Sequence, residues 1–268
     1  LEYSSNFAIP FMEHCEDMSA TADGVVREGF YSTKLGLRGV PAYSEEICLA
    51  RDLLVLRSVP GRYHASHLSS QGSVELVRTA KTHGLPVSAE TAPHYLCFDD
   101  SCLESYDTSF RINPPIGTAE DRDALIEGLK DGTIDCIASD HAPHAAHEKQ
   151  VEFEYAPPGA IGLETTFAVI ITQLVRPGHV RLTDALSLIT HRPAQILGIS
   201  AGTLGVGEAA DLTLFDPEEE WVVEEAGLRS KSKNSPWLGK KLIGRVKHTV
   251  VDGNLLPATS GTEGHPEQ

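Results

Sequence analysis

An α/β fold of alternating strands and helices, backed by a small β unit, is what this 268-residue sequence predicts. Three features predict it. Four short apolar runs read as strands, each is followed by a helical pattern, and after Gly198 the texture changes to short alternating strands. The first run, FAIPFMEH (7–14), leads through a long glycine-bearing loop to Ser44, expected to cap a helix over 45–57 with Ile47, Ala50, Leu54 and Arg57 on its stripe. Residues 62–68 read as the second strand, and Ser70 starts a helix carrying Val74, Val77 and Ala80 that Gly84 closes. LPVSAET (85–91) is the third strand, and the spacing of Thr118 to Asp121 marks a capping box for a helix carrying Leu125, Ile126 and Leu129, ended by Gly132. TIDCIASD (133–140) is the fourth and is almost wholly apolar, as a parallel strand covered on both faces should be.

Helices at about 163–175 and 183–197 complete a first region, 1–198. Region 199–256 reads as a small β domain. Its strands are ADLTLFD (210–216) and, beyond a polar WVVEE segment, GRVKHTVVDGNLL (244–256), where Asp252-Gly253 signals a hairpin. Residues 257–268, rich in Gly, Thr, Ser and Pro, are expected to be a disordered tail. Four strand–helix units imply a parallel sheet but are half of what an eight-stranded barrel needs. Either four further units precede the first residue or this is a small open α/β domain.

A hydrophobic content of 41% is enough for a large core, and there is no apolar run of 18 residues that would serve as a membrane span. The opening LEYSSNFAIP has no basic segment followed by an apolar one, so it does not read as a secretory signal. It lacks an initiator Met and looks like the tail of a helix running into a strand, so an upstream part of a longer chain is expected. A formal charge of −16 argues against nucleic acid and anionic membrane as partners. Five cysteines without a CxxC pair fit a reducing compartment, by default the cytosol.

The chemistry gathers at strand ends. His14 ends the first strand, His67 the second, and Asp140 the fourth, and in a parallel barrel such ends open onto one face. Two imidazoles and a carboxylate suit zinc, and a zinc site open to water supplies a hydroxide near neutral pH. Asp140 can both ligate the ion and take the water's proton; the competing reading is a turn cap. His144 is expected to face the pocket as a donor to substrate oxygen, whereas His141 packs or supports Asp140 and His147 is solvated. His64, three residues before His67, points to the other face as a structural residue, and Cys15 points away from His14 as a small buried hydrophobe. His94, just past a strand end, either lines the pocket or packs. Asn113, stiffened by the two prolines after it, either presents its amide to a ring or opens a turn. The Pro158-Gly159 bend lies in a long loop (145–162) of the kind that covers barrel active sites, and can offer a backbone donor.

HCED (14–17), ADGVVREGFYSTKLGLRGVPA, ETAPHYL, RINPPIGT, DGTIDCIASDHAPH and PPGAIGLET together resemble the type I dihydroorotases of the amidohydrolase superfamily, over about residues 1–256 in order. The resemblance implies a TIM-type (β/α) barrel, here its last four units, and zinc as one or two ions. It also implies the reversible cyclisation of N-carbamoyl-L-aspartate to L-dihydroorotate in pyrimidine biosynthesis. His14 and His67 would hold the second zinc, and Asp140 would bind the first and serve as acid and base. Asn113 and His144 would contact the ring or its carboxylate, with backbone contacts from Pro158 and Gly159. It also admits a homo-oligomer and association with aspartate transcarbamoylase.

Two departures stand out. The family's His-x-His pair with its following Arg, and the bridging carboxylate, are not in this sequence, so these residues alone are expected to bind metal poorly and turn over little. Ile116-Gly117 replaces a Leu-Arg common in bacterial members, leaving a less basic rim. Two other readings are a hydantoinase- or allantoinase-like cyclic amidase and a silent homologue acting as a structural partner of aspartate transcarbamoylase.

Overall fold

A computed structural model describes residues 1–7 and 9–256, and the tail expected at 257–268 lies outside the described residues. Six of its strands are parallel. β1 (Pro10–Glu13), β2 (Val26–Arg27), β3 (Gly39–Val40), β4 (Arg62–Ala65), β5 (Val87–Thr91) and β6 (Cys136–Ile137) form a four-stranded sheet in the order β1-β4-β5-β6 and a separate β2-β3 pair. Register sorts the faces. Phe11, Tyr63 and Val87 lie in line on one face, and Met12, His64 and Ser88 on the other. On the first face Tyr63, Ala65, Ala89 and Thr91 are buried beneath the helices that follow the strands. On the second face His64 is buried, with its ring between Ser88 and Glu90.

The helix starts and stops follow local chemistry. Ser70 accepts a bond from the Ser73 amide and opens a helix over Gln71–Thr82 whose Val74, Val77 and Ala80 are buried. Thr118 and Asp121 make the capping box of the Ala119–Asp131 helix, and Gly132 ends it in the left-handed conformation that a side chain would resist. Cys15 turns its thiol to the Tyr63 hydroxyl, away from His14.

Several elements differ from expectation. The helix expected from a Ser44 cap spans Tyr43–Leu56, and the Ser44 hydroxyl bonds Thr21 instead. Its buried face is Glu45, Cys48, Leu49, Leu53 and Leu56, while Ile47 and Leu54 are exposed. The segment is apolar around most of its circumference, and the buried Glu45 decides its rotation by taking bonds from the Ser69 and Ser70 amides. The helix expected at 163–175 is α-helical over Thr166–Ile170 and then winds wider as a π-helix over Ile171–Val175. The one expected at 183–197 is two helices, Leu182–Ser187 and His191–Leu197.

β7 (Leu212–Val222), β8 (Lys241–Val251) and β9 (Asn254–Leu255) form an antiparallel sheet, and the Asp252-Gly253 turn has the paired positive φ angles of a tight hairpin. β7 runs on past Asp216 into the segment read as a polar break, because Glu218, Glu219 and Glu220 pair with Arg176, Arg245 and Lys241. β8 packs on the Thr166–Val175 helical stretch, where Gly244 meets Ile171 and Phe167. Among the described residues no helix is long and apolar enough to cross a membrane.

Candidate metal centre

His14 follows β1 and His67 follows β4, neighbours in the sheet, and their rings meet with Nδ1 of His14 3.0 Å from Nε2 of His67. Two nitrogens on one tetrahedral zinc, with bonds of about 2.0–2.1 Å, stand about 3.3 Å apart, so this pair is spaced to share an ion. Glu16 sets the tautomer. Its Oε2 lies 3.1 Å from His14 Nε2, so the Nε2–H donates to the carboxylate and the Nδ1 lone pair faces His67. Metal-binding histidines are commonly oriented by a carboxylate in this way. The Asn113 amide nitrogen, 3.3 Å away, donates to the same Glu16 oxygen.

Asp140 stands just past β6 with φ +45°, and His67 has φ +34°. Left-handed backbone costs non-glycine residues energy, and its recurrence at two of the three candidate ligands marks a place where the fold holds side chains against local preference. The Asp140 carboxyl is pushed above the ordinary carboxylate range by burial, against the opposing pull of His67 and with a further push from Glu90. The three donor groups of His14, His67 and Asp140 do not all come within 4.8 Å of one another. The carboxylate instead leans to His94, with Oδ2 3.6 Å from its Nε2. His67 Nδ1 is buried without a hydrogen-bond partner.

Two other groups do gather within 4.8 Å, His64–Glu90–Cys136 and Glu13–Cys48–Asp52. In the first, Ser88 and Glu90 already satisfy both ring nitrogens of His64. In the second, a cation is in place, because the Arg51 guanidinium bonds both Asp52 and the Cys48 sulfur. The His14–His67 pair, with two ring nitrogens facing each other and a flanking carboxylate, fits zinc better by the chemistry of its donors.

The residues expected to touch substrate form one connected rim. His144 Nε2 donates to the Pro158 carbonyl at 2.9 Å, the Gly159 amide donates to the Arg111 carbonyl at 2.7 Å, and Asn113 lies two residues beyond Arg111. These donors therefore join loop to loop. Of the two roles expected for His141, packing or support of Asp140, the first fits its bonds, because its Nδ1 accepts from the Gly162 and Leu163 amides. Sequence reasoning missed Glu16, although HCED places it two residues after His14. It also missed Asn234, which accepts from the His144 amide and donates to the Ala142 and Gly159 carbonyls, and which nothing in its local sequence marks.

With this fold and site in view, the chain belongs to the amidohydrolase family, which matches residues 8–256. Its fold is that of the family's TIM-barrel type, of which it carries four parallel strands with their helices. Among curated proteins it is 46% identical over 256 residues to a dihydroorotase of Acetivibrio thermocellus, covering 96% of this chain and 60% of that one. To a dihydroorotase of Ruminiclostridium cellulolyticum it is 44% identical over 253 residues, covering 94% and 59%. Among solved structures it is similar to the L-hydantoinase (dihydropyrimidinase) from Arthrobacter aurescens, with TM-score 0.87 and 26% identity over 98% of this chain and 60% of that one. A D-hydantoinase gives TM-score 0.84 and 27% identity, covering 97% and 60%. The chain spans about 60% of the length of the curated relatives it matches.

Proposed function

We propose that the protein to which these residues belong is a zinc-dependent dihydroorotase. It would interconvert N-carbamoyl-L-aspartate and L-dihydroorotate in the cytoplasm, for pyrimidine synthesis. The observation that carries this reading is the His14–His67 pair with Glu16 behind it, in a chain 46% identical to a dihydroorotase. Domain organisation is proposed as 1–198 and 199–256.

His14, His67 and Asp140 would hold the zinc, which when bound supplies a polarised carbonyl and an acidified water. Glu16 keeps the Nδ1 lone pair of His14 turned inward. Asp140, its proton affinity raised by burial, takes the proton of the attacking water and returns it to the ring nitrogen as the amide bond breaks; in the cyclising direction the same proton travels back. Asn113, His144, Pro158 and Gly159 form the rim against which the ring and its carboxylate would rest, kept rigid by the bonds between His144, Pro158, Gly159 and Arg111.

Asp140→Ala is expected to abolish dihydroorotate turnover while the far-ultraviolet circular dichroism stays unchanged, and His67→Ala to lower the zinc content measured by atomic absorption. An active Asp140 variant would remove that residue from the mechanism. Likeness to hydantoinase structures favours a second reading, a cyclic amidase acting on hydantoin. Assay of both substrates separates the two, and turnover of hydantoin alone would replace the first reading with the second. A silent structural partner of aspartate transcarbamoylase would turn over neither; retention of His14, His67 and Asp140 weighs against it.

A further inference from the structure

His94 sits in the first turn of the Pro93–Cys97 helix with its ring enclosed and 2% exposed. Its Nε2 is buried without a hydrogen-bond partner, and the polar atom it faces is Asp140 Oδ2 at 3.6 Å, somewhat beyond hydrogen-bond length. A neutral imidazole carries one N–H and one lone pair, and only the N–H form suits a carboxylate oxygen. An unpartnered buried nitrogen weakens a fold, so its position calls for a counterpart that one small movement would supply.

We infer that His94 is a positioning residue for the metal centre: its Nε2–H donates to Asp140 Oδ2 and thereby turns the other carboxylate oxygen toward the His14–His67 pair. This rests on the metal-centre reading above. The geometry supports it from both sides. Asp140 is held by a left-handed backbone and can reorient only about its side-chain bonds, whereas His94 is fixed on a helix and packed at 4.1 Å, ring centre to ring centre, against Tyr95. Closing the gap to a charge-assisted bond of about 2.8 Å therefore falls to the carboxylate.

The test measures zinc affinity by competition with a chromogenic chelator, together with the melting temperature of the metal-free protein, in His94→Phe, His94→Gln and His67→Ala. His94→Phe is expected to weaken zinc binding by about 10–100-fold without lowering the metal-free melting temperature. His94→Gln keeps an N–H donor at similar reach and is expected to recover most of that loss. Unchanged zinc affinity in His94→Phe overturns the inference. So does a loss that is equal in both His94 variants and accompanied by a lower metal-free melting temperature, because that pattern belongs to packing. His67→Ala separates the two levels: if it loses zinc while His94→Phe does not, only the role of His94 fails, and if it keeps zinc the metal centre itself fails.

Discussion

Glu45 shows how one residue ties the site to its scaffold. Buried on the Tyr43–Leu56 helix, it accepts bonds from the Ser69 and Ser70 amides and the Ser69 hydroxyl, and that hydroxyl also takes a 2.6 Å bond from Arg27. These serines lie two and three residues after His67, so the carboxylate fixes the backbone next to a candidate ligand. Glu45→Ala would strand at least two amide donors in the interior, and the expected cost is about 2–3 kcal/mol, read as a lower urea midpoint. A shift of a few tenths would show that water reaches those amides. Sequence alone could not place this carboxylate, since SEEI reads as an exposed first turn of a helix. The placement of His14, His67 and Asp140 just past strands was legible because each ends an apolar run. Glu16, Asn234 and the pairing of His94 with Asp140 were not, because each depends on loops that meet only in the folded chain.

Elements were legible wherever a local signal is itself the cause of the structure. The Ser70 and Thr118 caps, the glycines at 84 and 132, and the Asp252-Gly253 hairpin act within a few residues of themselves, and all five appear as read. Rotation and continuity were harder. The face of the Tyr43–Leu56 helix is chosen by Glu45, and β7 continues through acidic residues because Arg176, just after the Thr166–Val175 stretch, and two cations of β8 neutralise them. Docking of the β sheet on that helical stretch turns on Gly244, whose φ is +92° and whose missing Cβ would fall 2.9 Å from Ile171 Cγ1 and 3.2 Å from Phe167 Cε1. Gly244→Ala is thus both strained and overpacked and should cost about 2–4 kcal/mol in chemical unfolding. Because Gly244 meets Ile171 and Phe167 and none of the candidate ligands, zinc content per folded molecule should stay constant. A cost below about 0.5 kcal/mol would mean that β8 does not press on the helix as described.

At the scale of the whole molecule, cysteine burial sets how the fold responds to alkali. Burial raises the thiols of Cys15, Cys102 and Cys136 well above their ordinary range, with nearby carboxylates adding to the effect at Cys102 and Cys136. In the unfolded chain the same thiols ionise near pH 8.5, at about the ordinary value. Above that pH the unfolded state releases protons that the folded state keeps, so stability is full below about 8.5 and is lost as pH rises. Lys149 works the other way. Burial lowers its pKa to about 8, so between pH 8 and about 10.4 the unfolded chain holds a proton that the folded one has shed, and stability gains with pH. The total slope is a sum of opposed contributions, whereas the difference made by one thiol is cleaner. Each unfolded thiol, once ionised, steepens the loss by about 1.4 kcal/mol per pH unit. Urea unfolding under reducing conditions at pH 7.5, 8.5 and 9.5 should therefore show stability falling more gently with pH in Cys136→Ala than in the parent, by roughly that increment above pH 9. Cys136→Ala will also start lower at pH 7.5, because the smaller side chain leaves space between β5 and β6, but that offset is independent of pH. Parallel stability curves for the two proteins across the range would mean that the Cys136 thiol ionises as readily folded as unfolded, which is incompatible with its 2% exposure beneath Glu90.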